Sequence, residues 1–158
     1  MALAPIFKKE YKITQKYWNK LIINWKEYYK QFWLASHNWV DFATPIWTEL
    51  LACVEWTITV KNDWKAGYWL RVAITKTRID WITWVLYAHL SSTQLKTWDK
   101  VKVWDVIGKS GNSGGSTWPH LHFGLRLRDV KWNILNTNNW NKWRIDAIPY
   151  FQNWKYYL

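Results

Sequence analysis

A mainly antiparallel β domain is what this chain predicts, on three observations. Short apolar-polar alternations recur, turn signals separate them at roughly 8–12 residues, and helical periodicity is scarce. Its 158 residues suit a single domain with a proper core. Taken in order, Lys26 to Gln31 reads as a helical turn, and Val40-Asp41-Phe42-Ala43 as a strand entered from a turn at Asn38-Trp39. The apolar run Leu50-Leu51-Ala52-Cys53-Val54 reads as core, with the chain's one cysteine as a buried thiol that has no intramolecular disulfide partner. Thr57 to Val60, Leu70 to Ile74, Ile82 to Leu90 and Val101 to Val103 read as strands, and Ile145 to Tyr157 as a second short helical segment. Another strand passes through His120-Leu121-His122, where the two-residue period turns both imidazoles to one face and Leu121 to the other.

Composition narrows the function. The balance of 22 Lys+Arg against 11 Asp+Glu gives a net charge of +11, which attracts polyanions. The basic residues are scattered rather than run together, so the anionic polymers of a bacterial wall answer that charge as well as nucleic acid does. No apolar span reaches 18 residues, which excludes a transmembrane helix. The stretch Met1 to Phe7 is too short for a signal-peptide core before Lys8-Lys9-Glu10. Export by a partner, delivery with a phage particle, or derivation from a longer exported protein are the routes this leaves open.

All four histidines fall at three stations: His37 with Asp41 four residues on, His89 within Tyr87-Ala88-His89-Leu90, and His120 with His122 in Pro119-His120-Leu121-His122-Phe123. Three imidazoles or two plus a carboxylate are the ligand types of a catalytic zinc centre, and two bases remain for proton transfer. The His37–Asp41 spacing shares a face in an extended segment and on a helix alike, so it does not choose between them. Each station alone is ordinary, whereas the joint use of every histidine points to a hydrolytic metal site.

These blocks closely resemble the three signature segments of the lysostaphin-like (LytM-type) zinc metallopeptidases, peptidoglycan endopeptidases. The resemblance extends from Ile13 to Phe151, taking in the paired turns and short strands of Thr97 to Gly108. It implies a duplicated-hybrid-motif fold: antiparallel sheets forming a groove, few short helices, a lead of residues 1–12, a metalloendopeptidase domain at 13–151 and a tail at 152–158. By the same resemblance His37, Asp41 and His122 are the ligands of one zinc ion, and His120 and His89 are the catalytic, non-ligand histidines. His120 is the proton carrier, and His89 orients the water and stabilises the oxyanion. The implied activity is hydrolysis of wall peptide bonds by a monomer acting outside the cytoplasm or delivered by a phage, as an endolysin would be. Two other readings compete. A catalytically degenerate wall-binding relative would have lost a ligand, but all five positions are present. A basic, aromatic single-strand nucleic-acid binder would leave the histidine pattern to chance. Cleavage specificity rests on loops near Asn19 to Lys30 and Asn136 to Lys142, which carry no readable code, while Tyr28 and Tyr29 read as packing aromatics within reach of the site.

One departure is systematic: tryptophan stands where the resembled family has glycine, at Trp39, Trp47, Trp56, Trp98, Trp104 and Trp118. Composition agrees, because 17 Trp against 6 Gly reverses ordinary usage, in which glycine alone is about 7%. Six tryptophans follow Asn or Asp (25, 39, 64, 81, 140, 154), as glycine does in tight turns that need positive φ. The pattern is that of a gene whose UGA codons mean glycine but are read as tryptophan, with Trp84 in a strand-like run as the best candidate for a true indole. A real tryptophan-rich sugar-stacking surface would cluster on one face instead. Sequencing the codons checks the reading: UGA is expected at 39, 98 and 118, and UGG there excludes it.

Overall fold

The computed structural model describes residues 2–151 except 33, 64–68, 78–80, 130, 132, 134 and 136–143, and leaves undescribed the side chains of 32, 77 and 81–83. The expected tail beyond 151, the loop at 136–142 and Trp64, Trp140 and Trp154 lie outside the described residues.

The strands in chain order are β1 (Ile13–Gln15), β2 (Ile22–Ile23), β3 (Lys26–Glu27), β4 (Val40–Phe42), β5 (Glu49–Leu51), β6 (Trp56–Asp63), β7 (Trp69–Thr77), β8 (Trp81–Ala88), β9 (Leu90–Ser92), β10 (Lys100–Val101), β11 (Val106–Ser110) and β12 (Leu121–Asp129). Two 3-10 turns, Tyr28–Phe32 and Ile148–Tyr150, are the only helical segments among the described residues. The first realises the helical turn expected from Lys26, starting two residues later because Lys26 and Glu27 pair with Ile23 and Ile22. All strand pairings are antiparallel, in a seven-stranded sheet ordered β1-β4-β12-β8-β7-β6-β10, a three-stranded sheet β5-β11-β9 and the β2-β3 hairpin.

Period-two alternation decides what each face of the large sheet carries. Val40, Phe42, Ile58, Val72, Ile74, Val85, Tyr87, Leu121, Phe123 and Leu125 point into the main core, shared with Leu50, Ala52, Cys53, Leu90 and Ile107 of the neighbouring strands and loops. Burying each large aliphatic or aromatic side chain contributes about 1.5–3 kcal/mol. Within that core the Cys53 thiol is pushed up to about 12 by burial, and its N–H donates to the Tyr87 hydroxyl at 3.1 Å. It is inert packing, as its sequence setting suggests. The alternate residues, Asp41, Ala73, Trp84, Leu86, Ala88, His122, Gly124 and Arg126, occupy the opposite face, on which the site is built.

The expected strand from Ile82 to Leu90 is interrupted. His89 adopts φ 63, and that left-handed residue passes the chain from β8 of the large sheet to β9 of the small one. Histidine enters this region more readily than most residues, but such a conformation costs about 1–3 kcal/mol and concentrates at functional sites.

Among the described residues, seven of the nine non-glycine positions with positive φ are tryptophans: 18, 25, 47, 56, 69, 98 and 104. Trp47, Trp98 and Trp104 sit in two-residue turns, with N–H groups bonded to the carbonyls of Ser110 (2.9 Å), Ile58 (2.9 Å) and Ala52 (3.0 Å). Their side chains are exposed, so the indoles add little packing to offset the backbone strain. Trp84 has no such φ, in keeping with its place in a strand. Trp39 and Trp118 also lack positive φ, which corrects the expectation that the turn before β4 requires it. At Trp39 the constraint is volume: a Cβ on Gly124 would meet the Trp39 ring at 2.0 Å.

Glycine at 47, 98 and 104 together should therefore raise stability by about 1 kcal/mol per site once glycine's larger unfolded-state entropy is subtracted. That is a melting-temperature gain of about 6–12 °C for a domain of this size. Thermal denaturation measures it, with Trp84→Gly expected to move the midpoint down; no gain in the triple variant contradicts the strain account.

Candidate metal and catalytic site

The site forms where β4 and β12 pair, with His122 directly opposite Asp41 and also opposite Ala88 of β8. The sequence brings His37 to the same point by a bend over Ala35–Ser36, and the His37 and Trp18 backbones anchor that segment through His37 N–H to Asn19 O (2.8 Å) and Trp18 N–H to His37 O (2.7 Å). His120 precedes β12 in a bridge with Gly111, and His89 occupies the β8–β9 kink. All five residues anticipated from the sequence converge, and all are buried.

Asp41 is the hub. Its Oδ1 lies 2.6 Å from His122 Nδ1 and its Oδ2 lies 3.2 Å from His37 Nε2, with His120 Nε2 at 3.9 Å from Oδ2. The His89 ring centroid is 4.8 Å from that of His120 and 5.4 Å from that of His122. Two overlapping ligand sets result, His37-Asp41-His122 and His89-His120-His122, each with donor atoms within 4.8 Å of one another. Two imidazole nitrogens and a carboxylate oxygen at such separations fit a tetrahedral zinc with one open position. The first set adds the anionic charge that the second lacks.

The outer partners orient the rings. His37 Nδ1 faces the Lys16 carbonyl at 3.2 Å, His89 Nδ1 the Ser113 carbonyl at 2.5 Å, and His120 Nδ1 the Trp118 carbonyl at 2.8 Å with Ser116 Oγ at 3.0 Å. A carbonyl only accepts, so each of these Nδ1 atoms carries a proton; in neutral His89 the Nε2 then presents a lone pair to the site, while His37 Nε2 faces the Asp41 carboxylate. Those partners escaped sequence analysis because three of the four act through backbone carbonyls, which have no residue-type signature; only the Ser116 hydroxyl does. Tyr29 is buried with its ring centroid 5.5 Å from that of His37, and its hydroxyl accepts from Gln15 Nε2. Burial and the nearby Asp41 charge raise its pKa, so it remains a neutral phenol beside the cluster. Tyr28 stacks edge-on against Tyr29 at 5.4 Å.

Burial sets the protonation states. Burial opposes ionisation of Asp41, but the facing His122 and His37 outweigh it and hold the carboxyl well below the usual range. Burial lowers His89 to about 4, against a rise from the Ser113 carbonyl, and lowers His122 to about 3, against the pull of Asp41. Both rings are thus neutral near pH 7, the form required of metal ligands and bases.

Trp39 lines the cluster from the sheet side. Its ring centroid is 4.4 Å from that of His122 and its indole carries the Arg144 guanidinium at 3.9 Å. The donor atoms converge with this indole in place, so its bulk falls on Gly124 rather than on the ligands. Trp118 is exposed and serves through its carbonyl.

Comparison with known proteins finds relatives of this sequence and fold. The chain is 33% identical over 106 residues to the peptidoglycan DD-endopeptidase ShyA of Vibrio cholerae, an alignment covering 66% of this chain and 24% of that protein. The fold matches the catalytic domain of lysostaphin from Staphylococcus simulans with a TM-score of 0.62 and 28% identity over 88% of this chain and 90% of that one. It matches a zinc-containing peptidase from Vibrio cholerae with a TM-score of 0.65 and 25% identity over 93% of this chain and 39% of that one. The chain spans about a quarter of the length of the first curated relatives it matches, 26% and 24%.

The protonation states predict a pH-dependent stability for the metal-free protein. Between the ordinary histidine value of 6.5 and the folded values of about 4 and 3, the unfolded chain binds protons that the folded chain refuses. Stability therefore falls as pH drops through that window and is recovered above it. Denaturant midpoints should be lower at pH 5 than at pH 7.5, and His89→Gln should flatten the dependence; a midpoint that rises on acidification contradicts it. Residues 35–134 match peptidase family M23, and with this β fold and histidine-aspartate cluster the chain belongs to that family.

Proposed function

We propose that the protein is a zinc-dependent endopeptidase of bacterial cell-wall peptidoglycan, acting outside the cytoplasm or from a phage. The observation that carries this reading is the convergence of five buried residues, His37, Asp41, His89, His120 and His122, at one point. It favours an enzyme over a wall-binding relative, since binding alone needs no second pair of imidazoles beside a ligand set.

His37, Asp41 and His122 would hold the ion, whose chemistry is to polarise a carbonyl and bring the pKa of water towards neutrality. His120 presents Nε2 towards the cluster with its Nδ1–H committed to the Trp118 carbonyl. That arrangement suits a base that takes the proton of the attacking water and returns it to the leaving amine. His89 Nε2 is also a lone-pair acceptor, because Nδ1–H is bound to Ser113 O. Neutral His89 therefore orients the water by accepting its second hydrogen, while the oxyanion stabilisation expected of it requires His89 to be protonated. The two imidazole rings lie side by side, their centroids 4.8 Å apart, and Asp41 would keep the ligand histidines aligned.

Replacing one member of each class separates the roles. His122→Ala should abolish stoichiometric zinc together with activity, whereas His120→Ala should retain zinc and lose about 10²–10⁴-fold in turnover. Metal analysis and mass spectrometry of fragments released from purified walls give both readouts. Zinc lost in His120→Ala but kept in His122→Ala would reverse the assignment, and no wall fragments from the zinc-loaded parent would sink the function.

A further inference from the structure

Beyond the cluster, on the same face of the large sheet, lies a cavity of about 430 Å³ lined by Thr59, Lys61, Arg71, Ala73, Trp84, Leu86, Arg126 and Arg144. Four of its walls are cations, and none of the lining residues is acidic. The strand register fixes where it sits. Gly124 pairs with Leu86, Leu86 with Ala73 and Ala73 with Thr59, making an apolar floor one step along β12 from His122. Arg126 pairs with Trp84 on one side of that floor, and Lys61 pairs with Arg71 on the other.

Three of the four cations are held in place. Arg126 lies 5.0 Å from the Trp84 ring centroid and Arg144 5.7 Å from it, Arg144 is buried, and Arg71 is fixed by Asp63. Trp39 links the two places, touching His122 on one side and Arg144 on the other. Arg144 is buried and Arg71 and Arg126 are half-buried, so an anion entering the cavity meets these charges with less solvent screening than at an open surface; burial and Arg128 lower the Arg126 pKa. Strand spacing of about 4.8 Å and a rise of about 3.4 Å per residue put Arg71, Arg126 and Lys61 roughly 10–14 Å from His122. An extended peptide covers that distance in about three to four residues.

We propose that this cavity is a carboxylate-binding subsite of the peptidase groove, selecting wall peptides that carry a free carboxylate three to four residues from the scissile bond over uncharged ones. Guanidinium groups bind carboxylates bidentately, and Trp84 and Leu86 supply the apolar wall for the peptide's aliphatic part. A neutral, glycine-rich bridge offers nothing for the cations to bind. The proposal rests on the endopeptidase reading, which it deepens by naming a substrate class.

The test uses two synthetic wall peptides that differ only in a free carboxylate or its carboxamide at that separation, with the parent protein, Lys61→Gln and Arg126→Gln. Lys61 is exposed, so its variant folds even if Arg126→Gln does not. Cleavage of the carboxylate peptide should show KM raised about tenfold or more in the variants, with kcat and all constants for the carboxamide peptide unchanged. Calorimetric binding of the same pair to metal-free protein is read in parallel and does not depend on turnover. A parent that binds the carboxylate peptide preferentially but cleaves neither would keep the subsite and overturn the endopeptidase reading. Equal losses on both peptides, or none on either, would overturn the subsite.

Discussion

A single buried carboxylate holds the histidine cluster of this protein together. Asp41 reaches His37 at 3.2 Å and His122 at 2.6 Å, and a carboxylate taken out of water is tolerated only with partners of that kind. Its position follows from β4, in which Val40 and Phe42 enter the core and leave Asp41 on the other side. Pairing with β12 then sets His122 opposite it. Core packing and the placement of the cluster are thus one constraint: slipping this pair by one residue would turn Asp41 into the core and Val40 towards the histidines.

That coupling explains what could be read from sequence. The strands around Thr57 to Val60, Leu70 to Ile74 and His122 were legible because their alternation is dictated by a sheet with one apolar face. The five site residues were legible because their chemistry is rare and their neighbours distinctive. The break at His89 was not, since a left-handed histidine leaves no trace in a run such as Trp84-Val85-Leu86-Tyr87-Ala88-His89-Leu90. The tautomer-fixing carbonyls of Lys16, Ser113 and Trp118 were equally silent, because every residue carries the same group. The basic cavity was missed for another reason: Lys61, Arg71, Arg126 and Arg144 are scattered along the chain, and only the register of β6, β7, β8 and β12 gathers them.

The tryptophans divide into two physical classes. Those at 18, 25, 47, 56, 69, 98 and 104 occupy backbone conformations that glycine enters without a Cβ clash, which supports the glycine reading at those positions independently of any likeness to other proteins. Trp84 supports the converse, since it lies in regular strand geometry and gives Arg126 an aromatic surface.

Trp39 belongs to neither class and joins the two halves of the argument. It is buried between His122, Gly124 and Arg144, so its indole touches both the histidine-aspartate cluster and one cation of the basic cavity. Glycine at this position would remove the ring that His122 and Arg144 both touch, and would relieve the contact with Gly124. The residue at 39 therefore governs more than the turn between His37 and Asp41: through its volume it sets how His122 of the cluster and Arg144 of the cavity pack against the same sheet face.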